Sequence, residues 1–179
     1  MAVKVGTDGT FYAAPVGTTL PADTDAVLDG AFVDFGEIST EGLEAAYEAT
    51  TEYVRNWKGL PVRSFTPETT FTFAITFLET TADVLDTYFG TVTESVAGGH
   101  SETRIGQPNN TPQALVIPVV DSKDNSISQW VIPQGVAGER DTITYANSTA
   151  TAYRVTFTAL WDADEEAFAI LQHDTDLTS

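Results

Sequence analysis

A stretch of strict alternation between residues 69 and 78 constrains the fold of this chain more than any other feature. Large apolar side chains occupy every second position, and threonine, alanine or leucine lies between them. The apolar positions are Phe71, Phe73, Ile75 and Phe77. A period of two predicts a β-strand with one buried face. The other face is rich in threonine and uncharged, so it meets either solvent or another protein surface.

A short helix is predicted directly after this strand, from residue 81 to residue 89. Thr80 and Asp83 have the spacing of a capping box, and Gly90 suits the left-handed position that ends a helix. So short a helix is marginal alone and must pack on a sheet. Its apolar side consists of Val84, Leu85, Tyr88 and Phe89.

The remaining pattern predicts a mainly β fold, a β-sandwich or partial barrel with one short flanking α-helix. Pro118 indicates an edge position or a bulge in its strand. We find no internal repeat and no linker, which predicts a single domain over residues 1–179 that begins with an arm or loop over residues 1–30. Strands are expected at 32–38, 113–120, 127–136, 142–146 and 151–161, with a turn at 39–43 and a long connector at 91–111.

The segment at 44–57 combines weak alternation with large aromatic residues. It reads as an extended hairpin or long loop rather than a packed strand. Tyr47, Tyr53 and Trp57 are large for an exposed loop, and aromatic residues beside arginine are typical of interface anchors. The alternative is that these rings pack under the loop.

Charge narrows the classes of function. The chain has 26 acidic and 8 basic residues, a formal net charge of −18. Such a field repels a polyanion, which argues against a protein that grips DNA. The negative charge either keeps the protein soluble or lines a passage through which a polyanion slides. Three of the few bases, Arg55, Lys58 and Arg63, lie close together, which favours head-to-tail self-association, with local ion pairs as the alternative.

Nothing in the sequence indicates an enzyme, a cofactor or a metal site. The chain has no cysteine, and it lacks a P-loop, a G-x-S-x-G elbow and an H-E-x-x-H motif. His100 lies in a polar glycine-rich stretch, where a histidine is usually only solvated. Because neither a signal peptide nor a long apolar run is apparent, we expect folding in a cytoplasm and no membrane partner.

Four stretches resemble the major tail protein of long, non-contractile-tailed bacteriophages (siphophages), the subunit of the tail tube. The resemblance extends over residues 2–172, and the middle stretches are the more specific. The stretches are TFYAAPVGTTLPADTDAVLDGAF, AFVDFGEISTEGL, TEYVRNWKGLPVRSF and ETTFTFAITFLETTADVLDTYFG.

The resemblance implies a structural virion protein whose six copies form a ring around a lumen. Rings stack around a tape-measure protein into a tail tube assembled in the bacterial cytoplasm, between a terminator and tail-tip or baseplate proteins. DNA leaves through the lumen without specific binding. The chain ends at Ser179, so we expect no C-terminal immunoglobulin-like decoration domain.

Within this expectation we assign two sets of residues. We expect residues 39–63 to form the loop between rings. For contacts between subunits and stacked rings we choose Tyr47, Tyr53, Arg55, Trp57, Lys58 and Arg63. For the acidic lining of the lumen we choose Glu37, Glu44, Glu48 and Glu68. The alternatives are another self-assembling virion protein, such as a head decoration or head–tail connector protein, and an acidic β-sandwich binding module.

Overall fold

The computed structural model describes residues 6–96 and 98–174, which form an antiparallel β structure with one short helix. This confirms the predicted fold class. Nine of the strands belong to one sheet, in the order β3-β2-β8-β9-β10-β5-β4, with β1 beside β8 and β11 beside β9. The elements are β1 (Asp8–Gly9), β2 (Tyr12–Pro15), β3 (Val33–Asp34), β4 (Ile38–Arg55), β5 (Pro61–Phe77), α1 (Ala82–Phe89), β6 (Thr93–Val96), β7 (His100–Thr103), β8 (Gln113–Asp121), β9 (Ser126–Arg140), β10 (Tyr153–Ala159) and β11 (Ile170–His173).

The core lies between the two halves of this sheet. Phe11, just before β2, is fully buried, and its ring centroid lies 5.0 Å from that of Phe77 in β5 and 5.3 Å from that of Phe157 in β10. The sheet therefore closes on itself over an aromatic centre, because strands from both ends of its order contribute to one cluster. On β10, the alternate residues from Tyr153 to Ala159 are buried, whereas Trp161, which continues the same alternation beyond the strand, is 56% exposed.

The helix closes one side of the core. Val84 and Tyr88 are buried, and the Tyr88 ring contacts Tyr153 of β10 at 5.5 Å. The N-cap is Thr81, whose Oγ1 accepts a hydrogen bond from the backbone N–H of Val84, so the prediction of Thr80 as the capping residue was wrong. The Thr80 hydroxyl instead forms a hydrogen bond with the hydroxyl of Tyr153, which lies on a different strand. Sequence spacing alone gave no sign of that partner.

The segment from residue 32 to 43 differs from the expected strand and turn. Only Val33 and Asp34 form β3, and the chain turns at Gly36, whose φ of 79° favours glycine. The predicted turn at 39–43 lies inside β4 instead. Gly42 has a φ of 70° there, and the register with β5 shifts between Ile38 and Leu43, so the glycine permits an irregularity within a continuing strand.

Two other polar segments also differ from their predictions. The expected connector at 91–111 contains the hairpin of β6 and β7, in which Thr93 and Thr103 pair through their hydroxyls at 2.7 Å. The expected strand at 142–146 is absent from the described residues, where only a single bridge joins Ala146 to Thr149. Short polar hairpins lack the apolar alternation by which strands are recognised.

The first strands belong to the main sheet. Residues 8–15, in the segment expected to form an arm or loop, pair with β8 as β1 and β2. Pro118 lies within β8 rather than at an edge of the sheet, since β9 pairs with one side of β8. On the other side, its carbonyl accepts the N–H of Thr10 in the gap between β1 and β2. A residue without an N–H fits this gap, where the ladder is interrupted.

Candidate assembly surface

A long hairpin formed by β4 and β5 projects from the body of the protein. β10 pairs with β5 only as far as Phe71, opposite Ala159. Beyond that point β4 and β5 pair only with each other in the described part of the chain. Every residue from 44 to 68 is exposed. We call residues 48–68 the distal hairpin.

The tip of the distal hairpin is locally ordered by its own hydrogen bonds. The side-chain oxygen of Asn56 accepts the N–H groups of Lys58 and Leu60 at 2.9 and 3.0 Å. Gly59, with a φ of 77°, donates its N–H to the Asn56 carbonyl at 2.8 Å, and Arg55 Nη1 donates to the Gly59 carbonyl at 2.9 Å. Asparagine at the first turn position and glycine in the left-handed region are the residues that such a turn requires.

A bulge lies in the middle of the distal hairpin. The register shifts between Thr50 and Glu52, so that Thr66 and Pro67 of β5 lie opposite Thr51. Proline within a strand is tolerated at such an interruption because it has no N–H to donate. Bulges and prolines on exposed strands also oppose unselective edge-to-edge pairing.

The distal hairpin exposes more apolar surface than a free two-stranded ribbon tolerates well. Trp57 is fully exposed, and Phe65 is 41% exposed. A two-stranded hairpin alone is at best marginally stable in water, and contiguous exposed apolar surface marks interaction sites. This hairpin is therefore the candidate assembly surface. Its other exposed large apolar residues are Tyr53, Val54, Leu60 and Val62, with Tyr47 at its base.

Five of the six residues predicted for subunit contacts lie on the distal hairpin, Tyr47 lies at its base, and all six are exposed. By strand alternation, Tyr47, Tyr53 and Arg55 share one face, which is continuous with the core side of β5 through the contact of Tyr47 with Phe71 at 5.8 Å. Trp57 and Lys58 lie at the tip. Arg63, paired with Val54, lies on the opposite face. The set thus surrounds the distal hairpin rather than forming one patch.

Three of the four acids predicted for the lumen share the other face. The register of Glu48 with Thr70 and of Glu68 with Thr50 places both on the side of Glu44. Glu37 lies apart, before β4, where its backbone N–H donates to Glu79 Oε1 at 3.2 Å. On the body, the same side continues as the partly exposed Thr72, Thr156 and Thr158, and as Thr76, which is buried. We call this surface the threonine–acid face.

Arg154 is a member of the threonine–acid face that the sequence reasoning missed. It lies on β10 opposite Thr76 and forms an ion pair with Glu44. Its guanidinium also lies 3.6 Å from Glu41 and 3.3 Å from Asp141. A lone base within the alternating strand at 151–161 was the available signal. Arg154 offsets part of the acidic charge at the base of the hairpin.

The free edge of β4 is a further feature of this region. β4 is the last strand in the sheet order, and in the described residues it pairs only with β5. A long unpaired edge presents backbone N–H and C=O groups that a strand of another chain can complete.

The described residues give no indication of chemistry at this surface. No group of three or more His, Asp or Glu side chains among them is arranged to hold a metal ion. No helix in the described ranges is long and apolar enough to cross a membrane.

Comparison with known proteins gives one family match over the full length. The family described as phage tail tube protein matches residues 1–179. No curated protein matches the sequence.

Three solved structures resemble the fold at low sequence identity. One is an extracellular contractile injection system, the PVC sheath–tube complex in its extended state (11% identity, TM-score 0.43, covering 90% of this chain and 87% of that chain). Another is the anti-feeding prophage cap, a tube-terminating cap (10%, 0.42, 90% and 87%). The third is the anti-feeding prophage baseplate (8%, 0.45, 88% and 91%).

Proposed function

This chain belongs to the phage tail tube protein family, and from that premise we propose that it self-assembles into stacked hexameric rings that form the tube of a phage tail. The family is structural, so the chain is not an enzyme. The observation that carries the proposal is the distal hairpin, which is exposed along its whole length and ends in a fully exposed tryptophan.

The hairpin supports stacking because it needs a partner. Removing one large apolar side chain from water stabilises a contact by about 1.5–3 kcal/mol. Trp57, Leu60 and Val62 therefore offer substantial association energy that the single subunit does not use. A projecting element on one end of a subunit forms heterologous contacts, and such contacts repeat along an axis as rings stack.

The threonine–acid face supports a lumen that does not hold DNA. Threonine presents neutral hydroxyl groups, and Glu48 and Glu68 add negative charge. Arg63 and Arg154 lie on the same side, but the glutamates at 44, 48, 52 and 68 outnumber them. Facing a polyanion, this surface therefore offers net repulsion rather than counter-ion release, so DNA would pass without binding. The formal charge of −18 on the whole chain points in the same direction.

The finer assignments belong to the same proposal. The sequence stretches that resemble tail proteins of siphophages favour a non-contractile tail for genome ejection. Such a tube would form around a tape-measure protein, between a terminator and a tail-tip or baseplate complex, and would be assembled in the bacterial cytoplasm before it becomes part of the virion. A tail that carries a sheath is the alternative, and micrographs of the parent virion distinguish the two.

Electron microscopy of the concentrated, purified protein tests the proposal. We expect hollow tubes or stacked rings with six-fold end views. The double variant Arg55→Ala, Trp57→Ala should fold but form no tubes, whereas Val27→Ala, which truncates an equally exposed apolar residue on a distant loop, should form them normally.

Three results would change the assignment. Shells instead of tubes would favour a head decoration or connector protein. A monomer that persists after addition of tape-measure and tail-tip proteins would favour an acidic binding module. Tubes from the double variant would remove the hairpin from the stacking contact.

A further inference from the structure

A groove lies beside the first residues of β4, at the base of the long hairpin. It encloses about 640 Å³ and is lined by residues 6–9 and 37–43, with contributions from β8, β9 and β11. Its apolar wall includes Trp130 and Leu171, and Leu171 is 42% exposed. We call it the β4-base groove.

The charge of the β4-base groove is one-sided. Its lining includes Asp8, Glu37 and Glu41 together with His173, and none of the described residues that line it is a lysine or an arginine. Glu41 is partly engaged by Arg154 of the same chain at 3.6 Å, whereas Glu37 is exposed at the rim. The groove therefore combines an apolar interior with a negative rim.

The hairpin tip has the complementary properties. Arg55 and Lys58 flank the exposed Trp57, and no acidic residue occurs between positions 53 and 61. An aromatic ring flanked by bases suits an apolar groove with an acidic rim, because burial supplies affinity and opposite charges set orientation. Trp57 also brings a rigid, large contact area.

The tip and the groove lie at opposite ends of one strand. Residues 38–43 and Ala45 at the start of β4 line the groove, and the tip follows Arg55, where β4 ends. The twelve steps from Ala45 to Trp57 correspond to about 40 Å at roughly 3.3 Å per residue. The tip of one copy therefore cannot reach its own groove, but it can reach the groove of a copy displaced along the strand direction.

A second groove on the chain is a poorer match. It encloses about 580 Å³ and is lined by residues of β2, β3 and α1, including Val16, Asp83 and Asp86. Asp86 already accepts the N–H of Thr93 at 2.6 Å. Since this groove is not on β4, the strand does not place it opposite the tip, and it serves as an internal control.

We propose that the tip of the distal hairpin of one copy, residues 55–60, occupies the β4-base groove of the next copy. This inference rests on the proposed function and identifies the partner surface of the stacking contact. It predicts an axial repeat between rings of no more than about 56 Å, which is the reach of the 17 steps from Thr40 in the groove to Trp57 at the tip, at roughly 3.3 Å per residue. It also makes stacking polar, with all tips pointing the same way.

Engineered disulfides test the contact directly, because the chain has no cysteine of its own. The test pair is Lys58→Cys with Thr40→Cys, the latter on the lining of the β4-base groove. The control pair is Lys58→Cys with Val16→Cys, in the other groove. A disulfide needs Cα atoms about 4.4–6.8 Å apart. The two cysteines of the test pair are too far apart to form a disulfide within one copy.

Tubes are imaged first under reducing conditions and then oxidised. We expect the test pair to give a ladder of covalent multimers on non-reducing gels, and the control pair to give none beyond the dimers of the single Lys58→Cys variant. If tubes form and the two pairs give the same pattern, the inference is wrong while the proposed function stands. If the unmodified chain forms no tubes or rings even with its tail partners, the proposed function fails and this inference with it.

A charge exchange gives an independent readout. Lys58→Glu and Glu37→Lys should each cause a loss of tubes, and the two together in one chain should restore them, since the reversed tip of each copy meets a reversed groove. Restoration by the double variant supports the contact. A double variant that assembles no better than either single variant contradicts it.

Discussion

The two halves of β5 contain similar residues and lie in opposite environments. In the half that ends at Phe77, Phe73 and Ile75 are fully buried between the two sides of the sheet. In the half that begins at Pro61, Val62 is 60% exposed and Phe65 is 41% exposed. Folding alone supplies the burial of the first half, and only association can supply the burial of the second. One strand thus connects the part that makes the subunit stable with the part that makes it assemble.

The largest effect that tests this comparison is expected from Phe73→Ala. The ring of Phe73 lies 4.6 Å from that of Phe71 and 5.4 Å from that of Trp130, so its removal leaves a cavity in packed surroundings. Such truncations cost about 3–5 kcal/mol in the free energy of unfolding. Denaturant unfolding of the purified monomer measures it, with Phe73→Leu as a milder control. A loss below about 1 kcal/mol would mean that this half of β5 is not the stable part.

Tyr88→Phe should produce an intermediate effect in the body. The Tyr88 hydroxyl donates a hydrogen bond to the Asp141 carbonyl, and the side chain is 6% exposed. Because Asp141 is itself exposed, loss of this hydrogen bond should cost about 0.5–1.5 kcal/mol in the free energy of unfolding. The same unfolding measurement applies, and Tyr53→Phe on the distal hairpin is the matched control that should change nothing.

The same tyrosine gives a pH test with a definite sign. Burial, followed by the nearby Asp141 carboxylate, raises the pKa of Tyr88 above its ordinary value of 10.0. A raised pKa means that the neutral hydroxyl is favoured in the fold, so its contribution is present below pH 10 and is lost as the pH rises through the folded value. Tyr88→Phe should therefore weaken the alkaline loss of stability. If Tyr88→Phe loses stability at alkaline pH as steeply as the unmodified protein, Tyr88 is not the source of that loss.

How much of this comparison the sequence predicted depends on which half is considered. The buried half of β5 was predictable because phenylalanine alternates with threonine and alanine, and this period is the signature of a half-buried strand. β10 was predictable for the same reason. The exposed part of the hairpin was recognised only as an extended hairpin or long loop at 44–57, because solvent on both faces leaves no periodic pattern to read.

The errors have equally local causes. The turn predicted at 39–43 rested on Gly42, but a left-handed glycine is also compatible with a bulge inside a strand, which is how β4 uses it. The β6–β7 hairpin is short and polar, so composition indicated a loop. The partners of Arg154 were not predictable, since Glu41, Glu44 and Asp141 meet it only through the sheet register.

The candidate assembly residues show the same limit. Aromatic residues beside bases indicated Tyr53, Arg55 and Trp57 as contact residues from sequence. The groove that suits them is formed by residues from five separated segments of the chain, and proximity of this kind follows only from the fold. The register of β4 with β5 places three of the four predicted lumen acids on one face. Glu37 precedes β4 and is therefore not aligned with them.

A smaller effect on the free energy of unfolding is expected from Asp162, a carboxylate that lies in a turn of the body. Hydrogen bonds from the Gln134 side chain at 2.7 Å and from the Glu165 backbone at 3.0 Å lower the pKa of Asp162 below its ordinary value of 3.8. A lowered pKa contributes stability above about pH 4 that is lost as the pH falls through the folded value. In unfolding measurements, Asp162→Asn should lessen the loss of stability at acid pH, and Gln134→Leu should move that loss towards higher pH. If both variants lose stability at the same pH and as steeply as the unmodified protein, this account is wrong.

The smallest effect on the subunit, and the sharpest test of the comparison, is expected from Phe65→Ala. Phe65 lies in the same strand as Phe73 and is the same residue type, but its cross-strand neighbour is Glu52 and no part of the body covers it. Its removal should change the free energy of unfolding of the monomer by no more than about 0.5 kcal/mol, as for an exposed position.

If association buries this ring, however, the same change should raise the concentration at which tubes form by about tenfold or more, equivalent to about 1.4 kcal/mol per subunit. Sedimentation of tubes over a concentration series measures the second quantity. A monomer destabilised as strongly as by Phe73→Ala would mean that the distal hairpin packs on its own body in solution, and an unchanged assembly concentration would mean that Phe65 stays in solvent in the tube.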